Sequence, residues 1–149
     1  MQFRYIRASL AGVVGALAMS AVGLWGAPLM GMPKMNPAEM LAMKMGGVVL
    51  LGWAGHLMIG VVLALVYATV AVSRLPGPSI VRGMLFSLAP WLMAQVAVMP
   101  MIGMPVFSGS ISLAMGSLIG HMVYGALVGD IVGKPHARND FTSTTSTRR

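Results

Sequence analysis

The chain has 149 residues, of which 57% are hydrophobic and 9% charged. A soluble domain carries about 25% charged residues, so this composition excludes a soluble globular protein and places the chain in the membrane class. Its net charge of +7 comes without a compact basic domain, which makes it a signal of topology and anionic lipid, with no nucleic-acid partner.

A bilayer-spanning helix needs roughly 20 mostly apolar residues. Four blocks qualify, at residues 8–29, 48–72, 80–98 and 111–132. The first follows Arg4 and Arg7 and contains Ala16-Leu17-Ala18, as a cleaved signal peptide would. It also leads into Pro-Leu-Met-Gly-Met-Pro at Pro28 to Pro33, a motif that recurs later, so a retained span is expected. Asn36-Pro37-Ala38-Glu39 then reads as a helix start, with Asn36 as N-cap and Glu39 placed to complete a capping box. The short helix that follows, at about 37–45, is expected at the outer interface and to end at Gly46-Gly47.

The second span carries Gly52, Gly55, His56 and Gly60, and Arg74 and Arg82 flank the loop after it. In the third span Pro90 is expected to kink the helix or free a carbonyl, and Trp91 and Gln95 share a face. An uncharged hairpin, Gly103 to Ser110, leads to the fourth span with Gly120, His121, Gly125, Gly129 and Asp130. Asp130 stands four residues before Lys134, the spacing of a helical ion pair. Residues 1–133 thus form a four-helix transmembrane domain, and 134–149 a flexible basic tail rich in Ser and Thr. Basic residues gather before the first span, between the second and third, and after the fourth, so both termini are expected in the cytoplasm.

Two signatures occur twice in the same order. The six residues from Pro28 recur from Pro100, 72 positions on, and Gly55-His56 to Gly60 recurs as Gly120-His121 to Gly125, 65 positions on. The expected fold is therefore all-α, a polytopic membrane protein of four transmembrane helices built as two parallel two-helix repeats. Gly52, His56, Gly60 and Ala64 overlie Ser117, His121, Gly125 and Gly129, and their spacing of four puts each set on one helical stripe. Small residues on such a stripe let helices approach closely in lipid.

Ionisable residues within a membrane are candidates for function. His56 and His121 suit three roles: packing, through a hydrogen bond to a neighbouring carbonyl; bis-histidine ligation of haem b; and proton or ion handling. Gln95 and Asp130 are further candidates for ligand or proton handling. The chain has 16 methionines. Met35, Met40 and Met43 belong to an outer cluster whose thioethers suit Cu(I) binding or transport, although methionine is also a flexible filler of apolar gaps. With no cysteine, thiolate ligation and cysteine nucleophiles are excluded. No Ser-His-Asp set, paired intramembrane carboxylates, P-loop or His-Glu-x-x-His motif is present, so no enzyme is expected.

The segments PLMGMPKMNPAEML, LGWAGHLMIGVVLALVYA and GSLIGHMVYGALVG resemble an uncharacterised family, a domain of unknown function, of small four-helix bacterial inner-membrane proteins. The resemblance runs to about Val132 and implies a multi-pass protein of the bacterial inner membrane, without an activity to carry over. The reading is a non-enzymatic accessory or small transport-related component without a required cofactor, surrounded by the lipid bilayer. Four spans are few for a solute pathway, so transport implies a homodimer or a larger membrane complex.

Overall fold

The computed structural model describes residues 2–133. The expected tail at 134–149, and with it the Lys134 partner of Asp130, lies outside the described residues. Every regular element among those described is helical. Helix α1 runs over Gln2–Ala21, widens into a π turn at Val22–Gly26 and finishes at Ala27–Leu29. Helix α2 is Pro37–Ala42, and α3 is Val49–Val66 followed by a π turn at Tyr67–Ala71. Helix α4 covers Ser79–Met93, a π turn at Ala94–Val98 and a final stretch at Met99–Met101. A short 3-10 turn, Val106–Gly109, precedes α5 at Ile111–Val132.

Four of these helices are long and apolar enough to cross a membrane: Arg4–Leu29, Val49–Ala71, Ser79–Met101 and Ile111–Val132. The first begins earlier than residue 8, because the helix continues outward through Arg4 and Arg7. The third runs past 98, because the π turn accommodates Pro100. There the Met99 N–H bonds back to Ala94 O, and the missing N–H of Pro100 affects only the next carbonyl.

The recurrent proline motif is a helix stop. In α1 the N–H of Gly31 donates to Pro28 O and that of Met32 to Ala27 O, both at 3.0 Å. In α4 Gly103 donates to Pro100 O at 3.0 Å and Met104 to Met99 O at 2.9 Å. This pair of bonds is a Schellman cap, which needs a left-handed residue after the helix. Glycine supplies it at φ +75° in Gly31 and +86° in Gly103.

Helix α2 begins as expected at Asn36, whose Oδ1 accepts from the N–H groups of Ala38 at 3.1 Å and Glu39 at 3.4 Å. It ends sooner, at Ala42, and the chain turns away through Gly46 and Gly47 in left-handed conformations. Ala38 and Ala42 are buried against Gly52 of α3, where a side chain would strike the Ala38 carbonyl.

The spans stand in the order α3, α1, α5, α4, each packing on the next. Two glycine crossings set the close contacts. A Cβ on Gly12 of α1 would lie 2.5 Å from Gly60 O of α3, and one on Gly83 of α4 would collide with Gly125 O of α5. The apolar core lies toward the end where residues 2 and 133 lie, the terminal end of the described chain, and includes Ala11, Ala64, Tyr67, Tyr124 and Val128. There α3 and α4 also meet: Tyr67 OH donates to Ser79 O at 3.3 Å, and its ring packs 5.4 Å from Phe86. At the same end Arg7 donates to Ile131 O, and Arg74 to Val70 O at 2.6 Å, placing cations on the C-termini of α5 and α3.

Candidate functional site

Toward the loop end the four spans enclose a cavity of about 290 Å³. Ile59 of α3 and Met93 of α4 border it and are 44% and 57% exposed, which puts its open side between these two helices. These two helices pack together nearer the terminal end, so the cavity opens sideways toward the lipid-facing surface. Met35, Pro37 and Met40 cover it from the first loop, and Ser108 from the second.

One wall holds a continuous polar chain. Ser108 Oγ donates to Gln95 Oε1 at 3.2 Å, Gln95 Nε2 to Ser117 Oγ at 2.8 Å, and Ser117 Oγ to Ala114 O at 3.2 Å. The indole N–H of Trp91 is shared between Ser117 Oγ and Ala114 O, each at 3.1 Å. Trp91 and Gln95 share one face of α4 as expected, and Ser117 of α5 is what they face. Gln95 is 2% exposed, and an unpaired amide there would cost about 1–3 kcal/mol. Its partner Ser108 has φ +59°, next to Phe107 at +54°, conformations that cost of order 1–3 kcal/mol for non-glycine residues. The Ser108–Gln95 bond and the Phe107 ring, 6.2 Å from Trp91, hold that turn against the cavity.

Both histidines border the cavity but are held differently. His56 Nε2 donates to Ala16 O of α1 at 3.2 Å, a tie between helices. His121 Nδ1 donates to Ser117 O, one turn back in its own helix, at 2.8 Å. Carbonyl oxygens only accept, so each bond assigns a proton to one ring nitrogen, and a neutral ring keeps a lone pair on the other. Bis-histidine ligation of haem through both Nε2 atoms does not fit this arrangement, because Nε2 of His56 is already committed to Ala16.

Met35, Met40 and Met43 are brought together with Met104 around a groove at the loop end, beside Asn36 and Glu39. Met43 is 61% exposed, while Met35 and Met40 also border the cavity. Among the described residues no three His, Asp or Glu side chains cluster as a metal site would need. A metal in this groove would therefore depend on thioethers, the soft donors that suit Cu(I). Asp130 is exposed near the terminal end and away from the cavity.

Of the packing glycines, Gly52, Gly60, Gly125 and Gly129 all face backbone too closely for a side chain. Gly120 faces Met19, and Gly55 has ordinary room beside Met45 and Leu41, so it is no close-approach site. Sequence reasoning missed Tyr124, which borders the cavity, packs its ring over Gly15 of α1 and donates to Gly60 O of α3 at 2.7 Å. It has no counterpart in the other half, where Ile59 stands 65 positions earlier, so the repeat carried no signal for it. Ser117 had a signal, as a polar residue on the histidine stripe in the place of Gly52.

Comparison with known proteins gives one family match: a family of unknown function (DUF6789) matches residues 3–143, extending past Val132 into the tail. No curated protein and no solved structure matches the chain.

Proposed function

The chain belongs to that family of unknown function (DUF6789), and from its intramembrane cavity we propose that it holds a small lipophilic molecule taken laterally from the bilayer. In this reading it is a multi-pass protein of the bacterial inner membrane, a non-enzymatic accessory or small transport-related component. The observation that carries the reading is a predominantly apolar space among all four spans, bordered by the exposed Ile59 of α3 and Met93 of α4. Small-molecule pockets measure about 300–1,000 Å³ and combine apolar walls with a few placed polar groups. At about 290 Å³ the cavity suits a headgroup or short chain, with the remainder of the molecule in lipid.

The same backbone cap at Gly31 and Gly103 supports an internal duplication. Arg4, Arg7, Arg74 and Arg82 near the terminal end support cytoplasmic termini. Carrying a molecule across the membrane would require a second copy or a larger complex beside these four spans.

A diazirine-bearing alkyl probe in nanodiscs tests the reading. Photolabelling is expected to concentrate on Ile59, Met93 and the cavity wall, and to fall several-fold in Ala94→Phe, which fills the cavity. Labelling spread evenly over the lipid-facing residues, and unchanged in that variant, would reject it.

A further inference from the structure

The cavity has a chemical polarity of its own. The hydroxyls of Ser108, Ser117 and Tyr124 and the Trp91 indole all donate to protein acceptors, and both ends of the Gln95 amide are engaged. Beyond the second N–H of Gln95 and the spare lone pairs of the hydroxyls, what stays open is accepting capacity on the imidazoles. With Nδ1 of His121 donating to Ser117 O, Nε2 carries the lone pair; with Nε2 of His56 donating to Ala16 O, Nδ1 does. Among the described residues the buried side-chain polar atoms without a partner are Ser20 Oγ and Nε and Nη1 of Arg82. Neither free imidazole nitrogen is among them, and both rings border the cavity.

A carbonyl or ether oxygen would find at most the second N–H of Gln95, whereas a hydroxyl would find an acceptor on each imidazole. The apolar wall adds a second preference. Met19, Met35, Met40, Met93 and Met99 border the space, and thioether sulfur makes favourable contacts with aromatic rings. We propose that the site selects a lipophilic molecule with an aromatic hydroxyl headgroup, a phenol or quinol, whose O–H donates to His121 Nε2 while its chain leaves between α3 and α4. His56 Nδ1 is the second acceptor, available to a headgroup with two hydroxyls. This inference rests on the lateral-cavity reading above and specifies its ligand.

The test uses the full chain in nanodiscs and three probes: 4-octylphenol, its methyl ether 4-octylanisole, and decan-1-ol. Empty nanodiscs give the reference for partition into lipid. The phenol is expected to bind about tenfold more tightly than the ether, the order of one hydrogen bond made in an apolar site. It is also expected to bind several-fold more tightly than the alcohol. His121→Phe keeps an aromatic ring and breaks no tie between helices, and is expected to bring the phenol down to the ether's affinity with the ether unchanged. Should that variant fail to fold, the phenol-to-ether ratio of the unaltered protein decides alone. Equal binding of phenol and ether would overturn the hydroxyl preference while leaving the cavity reading intact. An alcohol as tight as the phenol would overturn the aromatic preference. No probe binding above partition would overturn the cavity reading itself.

Discussion

The two hairpins end their outgoing helices with the same cap and then close their loops by different means. In the first, the π turn and Pro28 leave Gly23 O without a partner inside the helix, and the N–H of Met35 donates to it at 3.0 Å. The chain can come so near because Gly23 has no side chain: a Cβ there would lie 2.5 Å from Met35 O. In the second, 72 positions on, Gln95 stands where Gly23 stood, and its side chain bonds Ser108 instead. One loop is pinned by backbone and covered by α2; the other is pinned by a side-chain chain running to Ser117. The histidines differ in parallel, His56 tying two helices and His121 turned back on its own. Similar local sequence has thus been given to fastening in one half and to lining a cavity wall in the other.

The largest effect is expected at the glycine crossings, where the halves should behave alike. Gly83→Leu forces a side chain into the Gly125 backbone and should cost about 3 kcal/mol or more, with Gly12→Leu close behind. Unfolding in SDS followed by tryptophan fluorescence measures both, and a tolerated Gly83→Leu would break the claim of matched crossings. Next comes the loop asymmetry. Gln95→Leu strands Ser108 and should cost about 2 kcal/mol, with faster hydrogen exchange confined to Val106–Gly109. Exchange that rises equally around Met35 would dissolve the distinction between the loops.

A smaller effect tests where the hairpins coincide. Gly31 and Gly103 each face open space, so alanine there costs only the left-handed backbone, about 1–2 kcal/mol at each site. Unequal losses would mean that the caps are not equivalent. The smallest effect separates the histidines. His56→Ala should lower stability by about 0.6 kcal/mol, the average for a hydrogen bond between membrane helices. His121→Ala should lower it less, since its bond holds no second helix, and SDS unfolding of the two variants side by side measures the difference.

The spans could be read from hydropathy because lipid demands length and apolarity, and the fourth, 111–132, matches its helix at both ends. The glycine stripes also spoke, since α3 and α5 are apolar on every side and only small residues reveal the packed face. Helix order stayed hidden because each span offers such a stripe and nothing local selects its neighbour. Tyr124 and the π turns were hidden for a related reason: both arise from how one helix fits another. The histidines announced themselves, but which ring nitrogen stays open follows from carbonyls at Ala16 and Ser117 that no motif specifies.

The wide turns at Val22–Gly26 and Ala94–Val98 also act as a slipped thread on a screw. A π turn absorbs one residue more than the regular helix around it, and at 3.6 residues per turn one residue is worth about 100° of rotation. Everything beyond the slip, including Pro28 and Pro100, therefore points in a direction that a regular count along the stem would miss. The heading of each loop as it leaves its helix is fixed by that single extra residue, so the length of the turn, more than the identity of its side chains, aims both covers over the cavity.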